Sequence, residues 1–189
     1  MDSTFNIFIS QYTKTIQFDD SSKFELVKHL SVINKKKNSI LIQENSYSDF
    51  AYFIVGGSIR AYYLKEGIEI NTWFAFENEI VASLNNYQSK PSSVSLQLVE
   101  DCKLIAINLS TLKPIVNVNV QISNFVRTII EEYTAFLEER LYATQFMSSF
   151  DRYSYLLENE PKVSQRIPLT YIASYLGISR ETLSRIRSK

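Results

Sequence analysis

The sequence has little of several residue types on which much protein chemistry depends. Among 189 residues there are one Cys, one His, four Gly and four Pro. One cysteine cannot form an internal disulfide or hold an iron–sulfur cluster, and one histidine cannot supply a histidine triad for a metal. No apolar run is as long as a membrane span, and the first residues, MDSTFNIFISQYTK, lack the basic segment of a signal peptide. We therefore expect a cytoplasmic protein that has no metal or cofactor and contacts no membrane.

Motifs of common enzyme classes are also missing. The sequence contains no GxSxG elbow, no P-loop and no GxGxxG fingerprint. It shows no nucleophile with a matching base and no convincing carboxylate pair, so we predict no catalytic residues. Apolar residues make up 45% and aromatic residues 13% of the chain, which indicates a well-packed globular protein.

The first two thirds of the chain combine short helices with strands. Residues 3–16 and 20–30 predict two helices. From about Ser39 to Ile107, short segments rich in Ile, Val, Tyr and Phe alternate with polar turns, a spacing that favours an antiparallel barrel or jelly roll. The two glycines of IVGGSIR predict a hairpin turn between two of these strands.

One long helix is predicted from Asn119 to about Phe146, because no Gly or Pro interrupts this segment. Its apolar residues form two sets on neighbouring faces, so the helix needs two partners. One partner is expected to be the barrel and the other a second copy of the same helix in a C2 dimer; burial within one chain is the alternative. The first set is Ile122, Val126, Ile129, Tyr133, Phe136 and Arg140, and the second is Ile130, Leu137 and Leu141.

The segment after the long helix predicts a helix-turn-helix. FDRYSYLLENEP is an amphipathic helix that Pro161 closes, and VSQRIPL reads as a connector. In TYIASYLGISRETLSRIR, Thr170 is expected to cap one helix, Gly177 to form the turn and Ser179 to cap the next. Ala173 is small enough for a close helix crossing. The expected shared core is Ile172, Leu176, Ile178, Leu183 and Ile186.

The second helix of this pair has the side chains of a DNA-reading surface. At 100° per residue, Leu183 and Ile186 face inward, whereas the opposite arc carries Arg180, Glu181, Ser184, Arg185 and Ser188. Arginine donates to guanine, and glutamate accepts from cytosine. From Gln165 onward five basic residues and one acidic residue give a net charge of +4 in a chain with no net charge, which attracts a duplex. The simpler alternative is an ordinary surface pair between Glu181 and Arg185.

The order of these parts resembles the Crp/Fnr family of transcription regulators, and SRETLSR resembles a recognition helix of that family. DRYSYLLENEP followed directly by RIPLTYIASYLGISRETLSRIRSK is similar to the short, Bacteroidetes-type members. The resemblance implies an α+β chain with a jelly-roll, cyclic nucleotide-binding-like domain at 1–118, a dimerisation helix at 119–147 and a helix-turn-helix domain at 148–189. It implies that a homodimer binds double-stranded DNA. The expected DNA-binding residues are Thr170, Ser179, Arg180, Glu181, Thr182, Ser184, Arg185 and Arg187.

The sequence departs from this family at the nucleotide pocket. The family uses a Gly-Glu pair and, about ten residues later, an Arg-Ser pair that neutralises the cyclic phosphate. Here Ala82-Ser83 and Ser92-Ser93 stand at those positions. A buried phosphate without a cation is costly, so we expect that cyclic AMP does not bind in the usual way. These four residues mark only the position of an effector pocket.

Other functions and partners stay open at this point. A sensor or protein-interaction module that does not bind DNA is the main alternative to a regulator, and a barrel enzyme is the third class. RNA polymerase and a small-molecule effector are possible further partners of a regulator. The sequence identifies neither the effector nor the operator.

Overall fold

A computed structural model describes residues 3–12 and 16–188, so residues 13–15 of the first predicted helix lie outside the described part. The described part contains eight strands and nine helices. The strands are β1 (Leu30–Lys35), β2 (Ile40–Ile42), β3 (Phe50–Gly56), β4 (Ile59–Lys65), β5 (Ile68–Ala75), β6 (Ile80–Val81), β7 (Ser95–Leu98) and β8 (Cys102–Asn108). The helices are α1 (Ser3–Tyr12), α2 (Asp20–Val27), α3 (Leu84–Tyr87), α4 (Leu109–Val116), α5 (Val120–Phe146), α6 (Ser149–Asn159), α7 (Lys162–Arg166), α8 (Leu169–Leu176) and α9 (Arg180–Arg187).

The strands form two four-stranded antiparallel sheets, which confirms the predicted jelly-roll type of barrel. The first sheet has the order β1-β8-β3-β6 and the second the order β2-β7-β4-β5. Neighbouring strands are mostly distant in sequence, since β1 pairs with β8 and β4 pairs with β7. This pairing closes the barrel around a single interior.

Alternating side chains of the first sheet serve two cores. Ile54 and Leu104 point into the barrel, where they pack with residues of the second sheet. Their neighbours Phe53 and Ile105 point outward into a second core that α1, α2, α4 and the start of α5 cover. This is the period of two that a strand imposes. Aromatic rings of α1 and α5 meet there and attach the long helix to the barrel.

The turn in IVGGSIR is not a hairpin, because β3 and β4 belong to different sheets. The chain crosses from one sheet to the other at Gly56-Gly57-Ser58. Gly57 has φ +108°, and a Cβ there would lie 2.4 Å from the Cys102 sulfur and 2.8 Å from the Asp101 carbonyl oxygen. Only glycine fits this crossing. Cys102 itself is buried in β8, as expected of a small apolar residue.

The segment that the sequence suggests is a connector contains a helix. Residues 162–166 form α7, which starts directly after Pro161. Proline is compatible with a helix start because its missing N–H has no helical partner there. Val163 is almost fully buried in the core of the helix-turn-helix, and this contact explains the short helix. The helix expected before Pro161 is present as α6.

Candidate DNA-binding surface and barrel cavity

Helices α8 and α9 form the predicted helix-turn-helix. Gly177 ends α8 with φ +67°, and its N–H donates to the Ser174 carbonyl. The Ser179 hydroxyl caps α9 by accepting from the Thr182 N–H at 3.1 Å. The prediction that Thr170 caps α8 is wrong. The cap residue is Pro168, because the extended backbone ends there and the helix begins at Leu169. Thr170 is the second residue of α8 and is exposed.

The two helices share a core with α6 and α7. Ile172, Ala173, Leu176 and Leu183 are buried, and Ile178 and Ile186 pack on them while partly exposed. All five apolar residues expected in this core therefore contribute to it. Ala173 is 3% exposed, as the predicted close crossing requires. The core fixes which side of α9 faces outward.

The outward side of α9 carries the predicted polar arc. Arg180, Glu181, Ser184, Arg185, Arg187 and Ser188 are exposed, whereas Thr182 is half-buried. None of the three arginines makes an ion pair within residues 3–12 and 16–188. Arg185 donates to the Thr182 hydroxyl at 3.3 Å. The alternative of a Glu181–Arg185 pair is thus not realised, and among the described residues no carboxylate neutralises these three guanidinium groups.

The first turn of α9 favours the ionised form of Glu181. The pKa of Glu181 lies below its usual range, first because of a backbone hydrogen bond and then because of the Ser179 hydroxyl and the nearby Arg180 and Arg185. A carboxylate in the first turn of a helix interacts favourably with the helix dipole. Glu181 therefore remains ionised, in the form that accepts hydrogen bonds.

The helix-turn-helix docks on the barrel through α8, a contact that the sequence does not reveal. Strand β5 is an edge of the second sheet, and its free main-chain groups need partners. The Ser174 hydroxyl donates to the Glu69 carbonyl at 2.9 Å and accepts from the Asn71 N–H at 3.0 Å. One serine of α8 thus covers this edge of the barrel.

A second docking contact changes the charge balance of the tail. The Arg166 guanidinium donates to both Glu77 carboxylate oxygens, at 2.8 and 2.7 Å, and also to Glu100. The net charge of +4 from Gln165 onward included Arg166, yet this charge is neutralised by the barrel. Of the tail cations in the described residues, only those of α9 therefore remain without a carboxylate partner, so the basic surface is smaller than the sequence suggests.

The carboxylate in this contact gives a testable pH dependence. Arg166 holds the pKa of Glu77 at about 2, below its usual value near 4.5. A depressed carboxylate pKa adds stability that is complete above the usual pKa and is lost as the pH falls towards the folded value. We expect Glu77→Gln to lower the free energy of unfolding at pH 7 by about 2 kcal/mol, because partial exposure screens the roughly 3 kcal/mol that the shift implies.

Urea unfolding at several pH values measures this effect. The difference between Glu77→Gln and the unaltered protein should shrink below about pH 4.5 and vanish near pH 2. Glu158→Gln, on the exposed side of α6, is the matched control and should change stability by less than about 0.5 kcal/mol. A difference that is constant from pH 7 to pH 2 would refute the role of the Glu77 charge.

Arg60 provides the third docking contact and is almost fully buried at 2% exposure. It lies in β4 and forms an ion pair with Glu69 at 2.6 Å. Its guanidinium lies between the rings of Tyr62 and Tyr171, 4.1 and 3.9 Å from their centroids. Because Tyr171 belongs to α8, this arginine joins the outer face of the second sheet to the helix-turn-helix. Nothing in the spacing around Arg60 distinguishes it from a surface arginine.

Three of the four predicted effector residues border a cavity of about 660 Å³ between the barrel, α5 and α8. Ala82, Ser83 and Ser93 line it. Ser83 also caps α3. Ser92 does not line this cavity, since it is buried and its hydroxyl donates to the Val94 carbonyl at 2.6 Å. The effector role of all four residues stays a prediction.

Cations reach this cavity from outside the barrel. Arg140 of α5 and Arg152 of α6 both line it. The Arg140 guanidinium stacks on the Tyr175 ring at 3.8 Å and donates to the Tyr175 carbonyl. Arg152 donates to the Leu176 carbonyl at 3.1 Å. Neither residue is evident from the sequence, because the family's phosphate-binding cation lies in the barrel loop around residues 82–93, whereas both arginines belong to later helices.

Comparisons with known proteins agree with this architecture. Residues 32–119 match the model of the cyclic nucleotide-binding domain. This segment therefore has the fold of a cyclic nucleotide-binding domain. Among solved structures, FixK2 from Bradyrhizobium japonicum superposes with a TM-score of 0.73 at 19% identity, covering 84% of this chain and 83% of that one. No curated protein has a sequence that matches this chain significantly.

Two further structures extend the likeness beyond the cyclic nucleotide-binding domain. The global regulator CLP from Xanthomonas campestris has a TM-score of 0.70 at 16% identity, with 90% of each chain covered. A Crp/Fnr-family transcriptional regulator from Eubacterium rectale has a TM-score of 0.72 at 20% identity, covering 89% of this chain and 82% of that one. The chain thus has the fold of Crp/Fnr regulators.

Beyond the cyclic nucleotide-binding domain, α5 presents the two predicted apolar faces. Ile122 is buried against the domain, and Val126 and Ile129 pack on the same core. The second face is uncovered: Ile130, Leu137 and Leu141 are 37%, 43% and 57% exposed. Within residues 3–12 and 16–188, none of the helices combines the length and apolar character that crossing a bilayer requires.

Proposed function

We propose that this chain is a cytoplasmic, dimeric transcription regulator of the Crp/Fnr type that binds specific DNA sequences. The observation that carries the proposal is the exposed face of α9, whose three arginines have no acidic partner in the described chain. Arg180, Glu181 and Arg185 would read base edges in the major groove. Thr170, Ser179, Thr182, Ser184 and Arg187 would contact the phosphate backbone or flank the bases.

The proposal divides the chain by task. The domain at 1–118 would sense an effector or serve as a scaffold, the helix at 119–147 would dimerise, and the unit at 148–189 would bind DNA. The two outer units would be coupled, because the DNA-binding unit is held on the sensing domain by contacts of Arg60, Arg166 and Ser174. Movement of the cavity walls can therefore reach α9 through α8.

A second copy of α5 is the partner that best fits the uncovered face. Ile130, Thr134, Leu137, Leu141 and Thr144 recur at steps of four, three, four and three residues along the helix. This is the spacing with which two helices pack along each other. A two-fold dimer also provides two recognition helices, as half-sites one helical turn apart require.

We expect Leu141→Asp to prevent dimerisation, since a carboxylate in an apolar seam loses its hydration. The dissociation constant should rise by at least about 100-fold, because the charge is buried twice per dimer. Sedimentation velocity at micromolar concentration measures this. Ala135→Asp, at an exposed position on another side of α5, is the control and should remain dimeric. A Leu141→Asp protein that is still a dimer would contradict the proposed interface.

Salt-dependent DNA binding tests the function itself and separates it from the alternative of a protein-interaction module. Fluorescence anisotropy with a labelled random-sequence duplex should show an affinity that falls steeply between about 50 and 200 mM salt. Replacing Arg180, Arg185 and Arg187 together by Gln should remove most of that dependence. Absence of any salt-sensitive binding by the folded dimer would favour the sensor or protein-interaction alternative.

A further inference from the structure

The cavity between the cyclic nucleotide-binding domain, α5 and α8 has an unbalanced charge. Two arginines, Arg140 and Arg152, line it, and no carboxylate of the described residues does. Neither guanidinium forms an ion pair in the described part of the chain. The rest of the wall is aromatic and polar, with Trp73, Tyr133 and Phe136 among its members. Such a wall suits a ligand that has both a ring system and negative charge.

The two arginines keep hydrogen-bonding capacity for a ligand. A guanidinium has five N–H donors. The described contacts of Arg140 use one, towards the Tyr175 carbonyl. Those of Arg152 lead to the Met147 carbonyl at 2.8 Å, the Ser149 hydroxyl at 3.4 Å and the Leu176 carbonyl at 3.1 Å. All these partners are neutral, so the positive charges are uncompensated in a partly buried place.

The two positive charges also disfavour each other. The pKa of Arg140 is lowered, mainly by burial and in part by the charge of Arg152, while Tyr175 opposes the change. Two guanidinium groups held together at a cavity wall gain from a shared anion. Capping the last carbonyls of α8 is one role for this pair, but a cap needs neither two cations nor an adjoining cavity.

We infer that this cavity binds an organic anion with an aromatic or apolar part, and that Arg140 and Arg152 hold its charged group. This inference deepens the proposed function, since it names the class of effector that the regulator would sense. The anion would lie at the helix-turn-helix end of the cavity, because both arginines contact carbonyls at the end of α8. Leu137 and Thr144 belong both to this wall and to the uncovered face of α5. Ligand, dimer seam and DNA-binding unit therefore meet at one place.

A pair of fluorescent probes tests the charge requirement without DNA, so failure here leaves the DNA-binding proposal untouched. The probes are 8-anilino-1-naphthalenesulfonate, which is an aromatic anion, and N-phenyl-1-naphthylamine, which has the same rings without the sulfonate. The unaltered protein should bind both. Arg140→Gln and Arg152→Gln should each weaken binding of the sulfonate by about tenfold and change binding of the neutral probe by less than about twofold.

Control variants locate the effect. Arg127→Gln removes a guanidinium from the same helix, where it is exposed and paired with Glu131 at 2.7 Å, and should leave both probes unaffected. Ser93 lies at the cavity wall and is exposed, so its replacement is compatible with folding. Ser93→Glu should weaken sulfonate binding several-fold relative to Ser93→Gln, with no such difference for the neutral probe. If circular dichroism shows that either arginine variant is not folded, the comparison of Ser93→Glu with Ser93→Gln tests the charge requirement instead.

Three results would overturn the inference. The first is no saturable binding of the sulfonate to the folded protein. The second is equal binding of the sulfonate by the unaltered protein and both arginine variants, or by Ser93→Glu and Ser93→Gln. The third is a parallel loss of both probes in the arginine variants, because that would show a change of cavity shape rather than of charge recognition.

Discussion

Arg180→Ala is expected to weaken binding of the dimer to its operator by about 2–6 kcal/mol, because each half-site loses a base contact worth roughly 1–3 kcal/mol. Arg180 lies in the first turn of α9 and is exposed without an ion pair in the described chain. Its removal should also relax the sequence preference at one base position of each half-site. Binding to unrelated duplexes should fall much less, in line with the loss of one charge per protomer.

Anisotropy titrations with the operator and with a scrambled duplex measure both effects. Lys28→Ala makes the same charge change beside α2, where Lys28 is paired with Glu25 at 2.6 Å, away from the proposed DNA-binding surface and dimer seam, and serves as the control. It should weaken neither complex by more than about 0.5 kcal/mol. An equal loss on operator and scrambled DNA after Arg180→Ala would contradict base reading by this residue.

Arg60→Ala is expected to lower the free energy of unfolding by about 3–5 kcal/mol. The change removes a buried guanidinium from its ion pair with Glu69, whose own side chain is 42% exposed. It also removes hydrogen bonds to Gln97 at 2.9 and 2.6 Å and the stacking between Tyr62 and Tyr171. The void and the unpaired Gln97 and Asn71 oxygens add to the cost.

Urea unfolding measures this loss, and Lys28→Ala again is the control, since exposed ion pairs contribute less than about 1 kcal/mol. Arg60→Lys should recover only part of the stability, because an ammonium cannot reproduce the planar guanidinium between two rings. A loss below about 1 kcal/mol after Arg60→Ala would show that the barrel and α8 do not depend on this contact.

Local features of the fold could be predicted because neighbouring residues determine them. Ser179 and Gly177 define the turn before α9 by capping and by backbone conformation. The uninterrupted run from Asn119 defines α5, and its two apolar faces follow from spacing alone. The expected strands follow from their apolar composition. These features depend on residues within a few positions of one another.

Contacts between distant parts of the chain could not be predicted. The sequence predicts a hairpin at Gly57, because it cannot tell whether two adjacent strands pair or belong to different sheets. Arg166 is 89 residues from Glu77 in the chain. The net charge of the tail alone therefore groups Arg166 with the cations expected to face DNA. Arg140 fits a heptad position and so was assigned to helix packing, although it lines the cavity. In each case tertiary contact decides the role.

Selection from a random pool of duplex DNA, followed by sequencing of the bound fraction at moderate salt, tests the central claim most directly. The proposed function predicts an enriched palindrome whose half-sites lie about 10–11 base pairs apart. Leu141→Asp should lose this enrichment, and Arg180→Ala should alter the enriched half-site. Absence of any enriched sequence with the folded dimer, both alone and with the anionic probe bound, would contradict a sequence-specific DNA-binding regulator.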